Sequence, residues 1–243
     1  MIQTSRQHIF LKIVIFSIFF IKPLLSFAID CHPPIDENVP QYIIGYGSLM
    51  DETSKKRTVH DAGMSYPVEI KGFKRTWGIQ GGMPGFNTTF LTVFVQPDAY
   101  FNGVVFVLKQ PRNVLQYDER ESIYCRIQVE KRQLTELANF TISKGQVWLY
   151  YSNRDELQLS DQMRPIVQSY VDIFMRGCIE IEEKFNLKNF ATHCVLTTGA
   201  WSKFWVNDRL YPRRSSFDEP LSGEIDAILK ELLPDYFSAI KIE

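Results

Sequence analysis

One short segment of the chain places two glycines around an aromatic residue at the end of an apolar run, Gly45-Tyr46-Gly47-Ser48-Leu49. The glycines free the backbone to turn sharply, and successive N–H groups in such a turn can converge on an anion. Glycine after a strand more often marks only a turn. This segment alone is therefore a weak signal of a binding loop.

A second segment places several carboxylates directly before another apolar run, with Tyr117-Asp118-Glu119-Arg120-Glu121 leading into Ile123–Val129. A carboxylate at the junction of a helix with a buried strand can itself be partly buried, which raises its pKa and makes it a usable general base. The alternative is a solvated charge cluster at a helix end. Spacing alone favours that alternative.

The elements that would position these two segments are mostly strands. Alternating or continuous apolar residues predict strands at Tyr42–Ile44, Val68–Phe73, Arg75–Ile79, Thr88–Val95, Gly103–Leu108, Ile123–Val129 and Gln146–Tyr151. The glycines of Gly81–Gly85 predict a loop, and Pro111 opens a short helix.

The last third of the chain changes to helical spacing. An amphipathic helix is predicted over about Pro165–Phe185, a second over Leu187–Leu196 and a third over Gly223–Leu233. Strands followed by helices predict an α+β fold, with a mixed sheet or small barrel flanked by helices. With no internal repeat or long linker, 41–243 are predicted to form a single domain after an extended lead-in at 29–40.

Residues 1–28 have the layout of a secretory signal peptide. Arg6 and Lys12 precede the apolar run Ile13–Ile21, and Ser26-Phe27-Ala28 fits a signal peptidase site. A membrane-spanning helix needs about 20 apolar residues, which is more than this run offers. We therefore expect cleavage after Ala28 and export to the periplasm or the extracellular space. An uncleaved anchor is the alternative.

Composition argues against nucleic acid as a partner. The chain has 27 Lys+Arg and 28 Asp+Glu, a formal net charge of −1, whereas neutralising phosphates needs a basic surplus or a dense basic patch. The nearest approach to a patch, Lys55-Lys56-Arg57, is expected to form a solvated turn or helix face. The oligomeric state does not follow from the sequence.

The cysteines fit disulfides better than metal binding. Cys31, Cys125, Cys178 and Cys194 allow three pairings, which sequence cannot choose among, although Cys178 and Cys194 lie on two predicted helices and make a plausible link. No C-x-x-C spacing is present, so no metal site is expected.

Taken together, the two segments and the elements between them resemble the γ-glutamylcyclotransferase-like superfamily, and its ChaC branch most. The resemblance covers roughly 41–151 and includes Lys71-Gly72-Phe73-Lys74-Arg75-Thr76-Trp77, the strand Gly103–Leu108 and the acidic segment that ends in Glu121. The chain departs from the branch after the opening motif, where Met50-Asp51-Glu52 replaces an apolar or Trp-containing stretch.

The resemblance implies an enzyme that cyclises a γ-glutamyl group to 5-oxoproline and releases the amine or peptide, without a metal or organic cofactor. Glu121 matches the position of the family's proton-transfer residue. The backbone N–H groups of Gly47, Ser48 and Leu49 would hold the γ-glutamyl group, and Tyr46 and Tyr124 would shape the pocket. Glutathione, a γ-glutamyl amino acid, a γ-glutamylamine and a γ-glutamyl group on a larger molecule all remain open as substrates.

Two other functions compete with this interpretation. The first is a secreted, non-catalytic binding protein on the same fold, against which the presence of Glu121 argues. The second is a serine hydrolase that uses Ser48 with His60 or His193, but the G-x-S-x-G sequence of such enzymes is absent.

Overall fold

Two β-sheets and the helices packed on them make up the described part of the chain, which is 31–82, 87–142, 144–214 and 219–243 of a computed structural model. The strands are β1 Gln41–Gly45, β2 Tyr66–Gly81, β3 Thr88–Leu108, β4 Cys125–Gln128, β5 Leu134–Glu136, β6 Gln146–Tyr151, β7 Ile166–Val167, β8 Thr198–Gly199, β9 Trp205–Asn207 and β10 Lys241–Ile242. The predicted signal segment 1–28 and most of the predicted loop Gly81–Gly85 lie outside the described residues.

Six α-helices occur in the same ranges: α1 Glu52–Lys56, α2 Val114–Arg120, α3 Gln168–Phe185, α4 Phe190–Leu196, α5 Ser222–Leu232 and α6 Pro234–Phe237. The long helix begins three residues later than predicted, because Ile166–Val167 pairs with β9 before the helix starts. Among the residues that the structure describes, no helix is both long and apolar enough to cross a membrane.

The larger sheet mixes antiparallel and parallel neighbours, which confirms the predicted α+β class. Its strand order is β4-β6-β1-β3-β2-β5, with β8 added along β2. The short strand β1 lies in the middle, antiparallel to β3 and parallel to β6, and all five of its residues are buried. A strand covered on both faces in this way reads as a continuous apolar run.

Two pairs of predicted strands are single long strands, so the predicted interruptions are wrong. Gly72 adopts a φ of +88° and shifts the register with β3 between Lys71 and Phe73, so it produces a bulge inside β2 rather than an end. In β3 the residues between Val95 and Gly103 continue the strand. Three of these seven residues are exposed and two are half-buried, and the sequence Gln96-Pro97-Asp98 gives no strand pattern there.

The basic run at the end of α1 is only partly solvated. Lys55 is fully buried, and its ammonium donates to Glu52 Oε1 and the Gly63 carbonyl at 2.7 Å and to Ser65 Oγ at 2.8 Å. The expectation of a solvated face is therefore wrong for Lys55. Its three acceptors replace the water that a buried ammonium loses.

Two disulfides select one of the three pairings that the sequence left open. Cys178 is bonded to Cys194, which links α3 to α4, and Cys31 is bonded to Cys125 at the start of β4. The Cys31–Cys125 bond links the lead-in segment to the chain a few residues after Glu121. It therefore restricts the position of the chain just after the acidic segment.

A guanidinium group buried between the sheet and α4 holds several elements together. Arg75 on β2 is fully buried and donates six hydrogen bonds of 2.7 to 3.3 Å, to the carbonyls of Tyr46, Asn102 and Cys194 and the side chains of Asn102, Thr197 and Thr198. Within the described ranges no carboxylate pairs with it. Burial lowers the pKa of Arg75 to about 9, so it is still a cation at neutral pH.

We expect Arg75→Met to lower the free energy of unfolding by about 3 kcal/mol or more, because it leaves several buried carbonyls without a donor. Urea denaturation measures the change. The matched control is Lys74→Met on the same strand, where a partly exposed side chain predicts a change within about 0.5 kcal/mol. Equal stability of the Arg75 variant and wild type would contradict the role given to this guanidinium.

Candidate active site

The glycine-containing loop is a tight turn that runs from the end of β1 into a 3₁₀ turn at Ser48–Met50. A Cβ on Gly45 would lie 2.6 Å from the Leu49 carbonyl oxygen, and a Cβ on Gly47 would lie 2.8 Å from the Tyr170 hydroxyl. Gly47 has a φ of −130°, so glycine is needed there for close approach rather than for a left-handed conformation.

Helix α3 packs directly on this turn. A Cβ on Gly177 would lie 2.6 Å from backbone and side-chain atoms of Met50, so glycine in the middle of the helix permits the contact. One consequence is that Tyr170, in the first turn of α3, reaches the loop, where its hydroxyl lies beside Gly47. This hydroxyl therefore lines the same recess as the loop.

Glu121 follows α2 and turns its carboxylate inward. Its backbone N–H donates to the Tyr117 carbonyl at 2.8 Å, its carbonyl accepts from the Tyr124 N–H at 2.8 Å, and its side chain is only 15% exposed. Glu119, two residues earlier, is exposed. The acidic segment is thus a helix end with two carboxylates, Asp118 and Glu121, directed into the protein, rather than a wholly solvated cluster.

All six residues singled out from the sequence line one narrow recess. Tyr46, Gly47, Ser48 and Leu49 come from the loop, and Glu121 and Tyr124 come from the segment between α2 and β4. The recess has a volume of about 20 Å³, room for little more than one water-sized atom. It adjoins a wider cavity of about 480 Å³, and the two share Ser48, Glu121, Tyr124 and Tyr170.

Burial dominates the electrostatics of Glu121. Loss of water raises the pKa of this carboxyl above its usual value, and the Arg120 guanidinium, whose Nε lies 2.9 Å from Glu121 Oε1, partly lowers it again. A raised pKa makes the carboxylate a stronger proton acceptor, and the group still ionises because the cation is adjacent.

Arg120 holds the carboxylate and the loop in one arrangement. Besides Glu121, it donates to Ser48 Oγ and Ser54 Oγ at 3.0 Å, to the Ser54 carbonyl at 2.7 Å and to Thr58 Oγ1 at 2.8 Å. These partners lie on the 3₁₀ turn and around α1. The guanidinium therefore spans from the binding loop to the candidate base.

Tyrosine hydroxyls surround the carboxylate. Burial, and next the negative charge of Glu121, raises the pKa of Tyr46 well above its usual value and that of Tyr170 to about 12. Tyr124 donates its hydroxyl hydrogen to the Leu91 carbonyl at 2.9 Å, and Tyr150 donates to Asp118 Oδ1 at 2.7 Å. Each of these phenols stays protonated at neutral pH, so Glu121 is the group in the recess that can take a proton.

The serine-hydrolase arrangement is not formed. Ser48 Oγ accepts from Arg120, and neither His60 nor His193 lines the recess or the wider cavity. Both histidines are exposed. In the described ranges no group of three or more His, Cys, Asp and Glu side chains is arranged to hold a metal ion.

Arg120 and Tyr170 are not predicted as site residues by the sequence. Arg120 lies inside the acidic segment, but a strand or helix pattern does not show which way it points. Tyr170 comes from a distant part of the chain, on α3, and only the fold brings it to the loop. In Tyr211-Pro212-Arg213-Arg214 the sequence favours either arginines that meet an acidic ligand group or a solvated loop, and the structure places both arginines at the wider cavity.

No protein-family model matches the chain, and no curated protein matches its sequence. Among solved structures, it is similar to an uncharacterised human protein (TM-score 0.49, 16% identity, covering 80% of this chain and 99% of that one). It is also similar to a γ-glutamyl cyclotransferase (0.48, 17%, 78% and 98%). A third is a yeast γ-glutamyl cyclotransferase specific to glutathione (0.41, 15%, 80% and 96%). At these identities and TM-scores the likeness assigns no activity to this chain, and its function has to be inferred from its own residues.

Proposed function

We propose that this chain is a γ-glutamylcyclotransferase-type enzyme, which converts the γ-glutamyl group of an amide or peptide into 5-oxoproline and releases the amine. The observation that carries the proposal is the buried Glu121 carboxylate, which shares one recess with the loop Gly45–Leu49. That pairing supplies a proton acceptor and an oxygen-binding backbone turn on opposite sides of one small space.

The reaction needs a folded substrate and one proton carrier. The α-amino nitrogen of the γ-glutamyl unit attacks its own γ-carbonyl carbon, a five-membered ring forms, and the bond from that carbon to the leaving nitrogen breaks. The ammonium proton must leave before attack, and the departing nitrogen must gain one. The recess alone is too small for a γ-glutamyl unit, so the folded substrate would lie in the adjoining cavity with its reacting end at the recess. Confinement there favours the cyclic geometry by removing rotational freedom beforehand.

Glu121 is suited to both proton transfers. As the carboxylate it takes the proton from the ammonium, and as the acid it returns that proton to the leaving nitrogen, so the two steps balance. The pKa raised by burial favours the first step, and the neighbouring Arg120 keeps the carboxylate available at neutral pH.

The loop is suited to binding the substrate's oxygen. The backbone of Gly47, Ser48 and Leu49 lines the recess together with Glu121, and the N–H groups of this turn are the donors proposed for the substrate's carbonyl oxygen. Backbone donors fixed before the reaction stabilise charge that develops on oxygen without a cost of reorganisation. Gly47 carries no side chain, so the Tyr170 hydroxyl lies directly beside the turn.

We also propose that the protein is exported. The layout of 1–28 supports this, and so do the two disulfides, which persist mainly in oxidising compartments.

We expect Glu121→Gln to reduce turnover by about 10²- to 10⁴-fold, because the amide cannot take the proton. Release of 5-oxoproline from a panel of γ-glutamyl compounds measures the effect. Glu119→Gln is the matched control, since it makes the same change at an exposed position of the same segment.

Ser48→Ala is a second control for the same experiment. It removes a hydroxyl that accepts from Arg120 but leaves the backbone donor, so turnover should stay within about tenfold of wild type. A folded Ser48→Ala variant without activity would point to a serine nucleophile instead. A Glu121→Gln variant with nearly full activity would remove the proposed base.

Replacement of Arg120 by Gln should move the acid limb of the kcat/KM profile to higher pH. The Arg120 charge lowers the pKa of Glu121, so removing it raises that pKa, and the carboxylate is then lost at a higher pH as the solution is acidified. Arg120→Lys keeps a positive charge and should keep the limb near its wild-type position.

The kcat/KM profile reports ionisations of the free enzyme and the free substrate. The free substrate's ammonium has the same pKa whichever variant is used, so a displacement of the acid limb has to come from the protein. An acid limb that is unchanged in Arg120→Gln would show that Glu121 does not control it.

N-terminal sequencing of the protein purified from its native host tests the proposed export. We expect the mature chain to begin at Ile29 and to be recovered outside the cytoplasm, because cleavage follows Ala28. Recovery of intact Met1 in the cytosolic fraction would contradict this.

A further inference from the structure

The wider cavity beside the recess is strongly cationic. Among the described residues its lining includes four arginines, Arg57, Arg120, Arg213 and Arg214, and one carboxylate, that of Glu121. The contacts of Arg120 and Arg213 show how these cations are engaged. Arg120 contacts Glu121 and the loop as described above, and Arg213 is paired with Glu243 and donates to the Asn87 carbonyl at 2.6 Å.

Arg214 differs from the others in the state of its guanidinium. Its Nε is buried and has no hydrogen-bond acceptor among the described residues, and no described carboxylate forms an ion pair with it. A buried donor without an acceptor is costly, and the cost is recovered when a ligand supplies one. Burial accordingly lowers the pKa of Arg214, while the nearby charge of Asp208 opposes this shift.

The guanidinium of Arg214 is held in place rather than free at the surface. Its central carbon lies 4.2 Å from the centre of the Phe90 ring, so one face is stacked and the N–H groups point along the plane. Its backbone N–H donates to Ser169 Oγ at 3.1 Å. The buried Asp208 fixes this segment by accepting from Ser169 and from the Arg213 N–H.

Arg214 and Glu121 line the same cavity, so one bound substrate can contact both. Tyr124 and Tyr170 line the cavity together with both groups, and each of the two phenols feels the negative charge of Glu121 and the positive charge of Arg214. Both tyrosines are thus near the proposed base and near this cation, in the one cavity that all four side chains line. A substrate whose γ-glutamyl end is at Glu121 extends along this cavity toward Arg214.

We infer that Arg214 binds a free carboxylate on the leaving group, so that the enzyme selects γ-glutamyl amino acids or peptides over γ-glutamylamines. This inference rests on the proposed function and adds a specificity residue to it. A planar guanidinium with one face stacked and its Nε without an acceptor among the described residues is suited to bind a carboxylate, to which it can donate two parallel hydrogen bonds.

The test compares substrates that differ only in this carboxylate. The two pairs are γ-glutamylglycine with γ-glutamylglycinamide, and glutathione with its C-terminal amide. With the wild-type protein we expect kcat/KM to be at least about tenfold higher for the acid of at least one pair, because a hydrogen-bonded charge pair contributes more than a neutral contact.

Arg214→Gln should lower kcat/KM for that acid by about 10- to 100-fold, mainly through KM, and leave the matching amide within about twofold. Activity on the amide also shows that the variant is folded. Arg214→Lys should give a kcat/KM for the acid between those of the wild type and Arg214→Gln, because lysine keeps the charge but cannot donate two parallel hydrogen bonds. Arg213→Gln makes the same charge change one residue earlier and should leave the acid-to-amide ratio unchanged.

The outcomes separate this inference from the proposed function. Equal losses on acid and amide with Arg214→Gln would place Arg214 on the γ-glutamyl unit or in the fold, and would overturn the inference while leaving the enzyme activity standing. A wild-type protein that makes no distinction within either pair would overturn it as well. Absence of 5-oxoproline from all four substrates would overturn the proposed function, and this inference with it.

Discussion

The arrangement of the site depends on the buried guanidinium of Arg75. A cation removed from water with no carboxylate partner is tolerable only when every N–H finds an acceptor, and here the acceptors come from the end of β1, from β3 and from the region around the end of α4. None of these elements can move away without leaving part of the charge unsolvated. The sheet, α4 and the start of the loop are therefore fixed relative to one another by one side chain.

This constraint has a direct effect on the loop. Arg75 binds the Tyr46 carbonyl, and in a trans peptide the N–H of the next residue points the opposite way, so the Gly47 N–H is turned away from Arg75. On the other side, Gly177 lets α3 press against Met50 and bring Tyr170 to the same turn. The loop is thus held from two directions, which is how a short stretch of backbone becomes a rigid donor surface.

Much of the fold, and the two segments of the candidate site, could be predicted from the sequence because local residue patterns determine them. Apolar runs predict β1 and β6, helical spacing predicts α3, and the residue types alone mark the two segments that carry the chemistry. Continuity of β2 was missed because Gly72 reads as a strand end, whereas a positive φ at one residue also makes a bulge. The pattern of residue types predicts which residues are buried and where the chain can turn. It does not show whether a strand continues beyond such a turn residue.

The contacts that complete the site are of another kind. Arg75 belongs to a strand that the sequence predicts, but its partners Cys194 and Thr197 lie far along the chain, and the strand's own residues do not indicate them. Arg214 reaches the cavity only because Asp208 fastens its segment to the start of α3. Hydrogen bonds between polar groups that are far apart in the chain form only in the complete fold. Patterns in a single sequence therefore do not predict them.

The cations around Glu121 also bear on how the proposed proton transfer is balanced. Arg120 stabilises the carboxylate and so makes it a weaker base, which by itself would slow removal of the substrate's proton. The same positive surroundings also destabilise the substrate's ammonium, which makes that ammonium a stronger acid. Burial acts on Glu121 in the opposite direction and restores its basicity. The site therefore brings the proton affinities of donor and acceptor toward each other, and a carrier that must take a proton and then return it works best when those affinities are close.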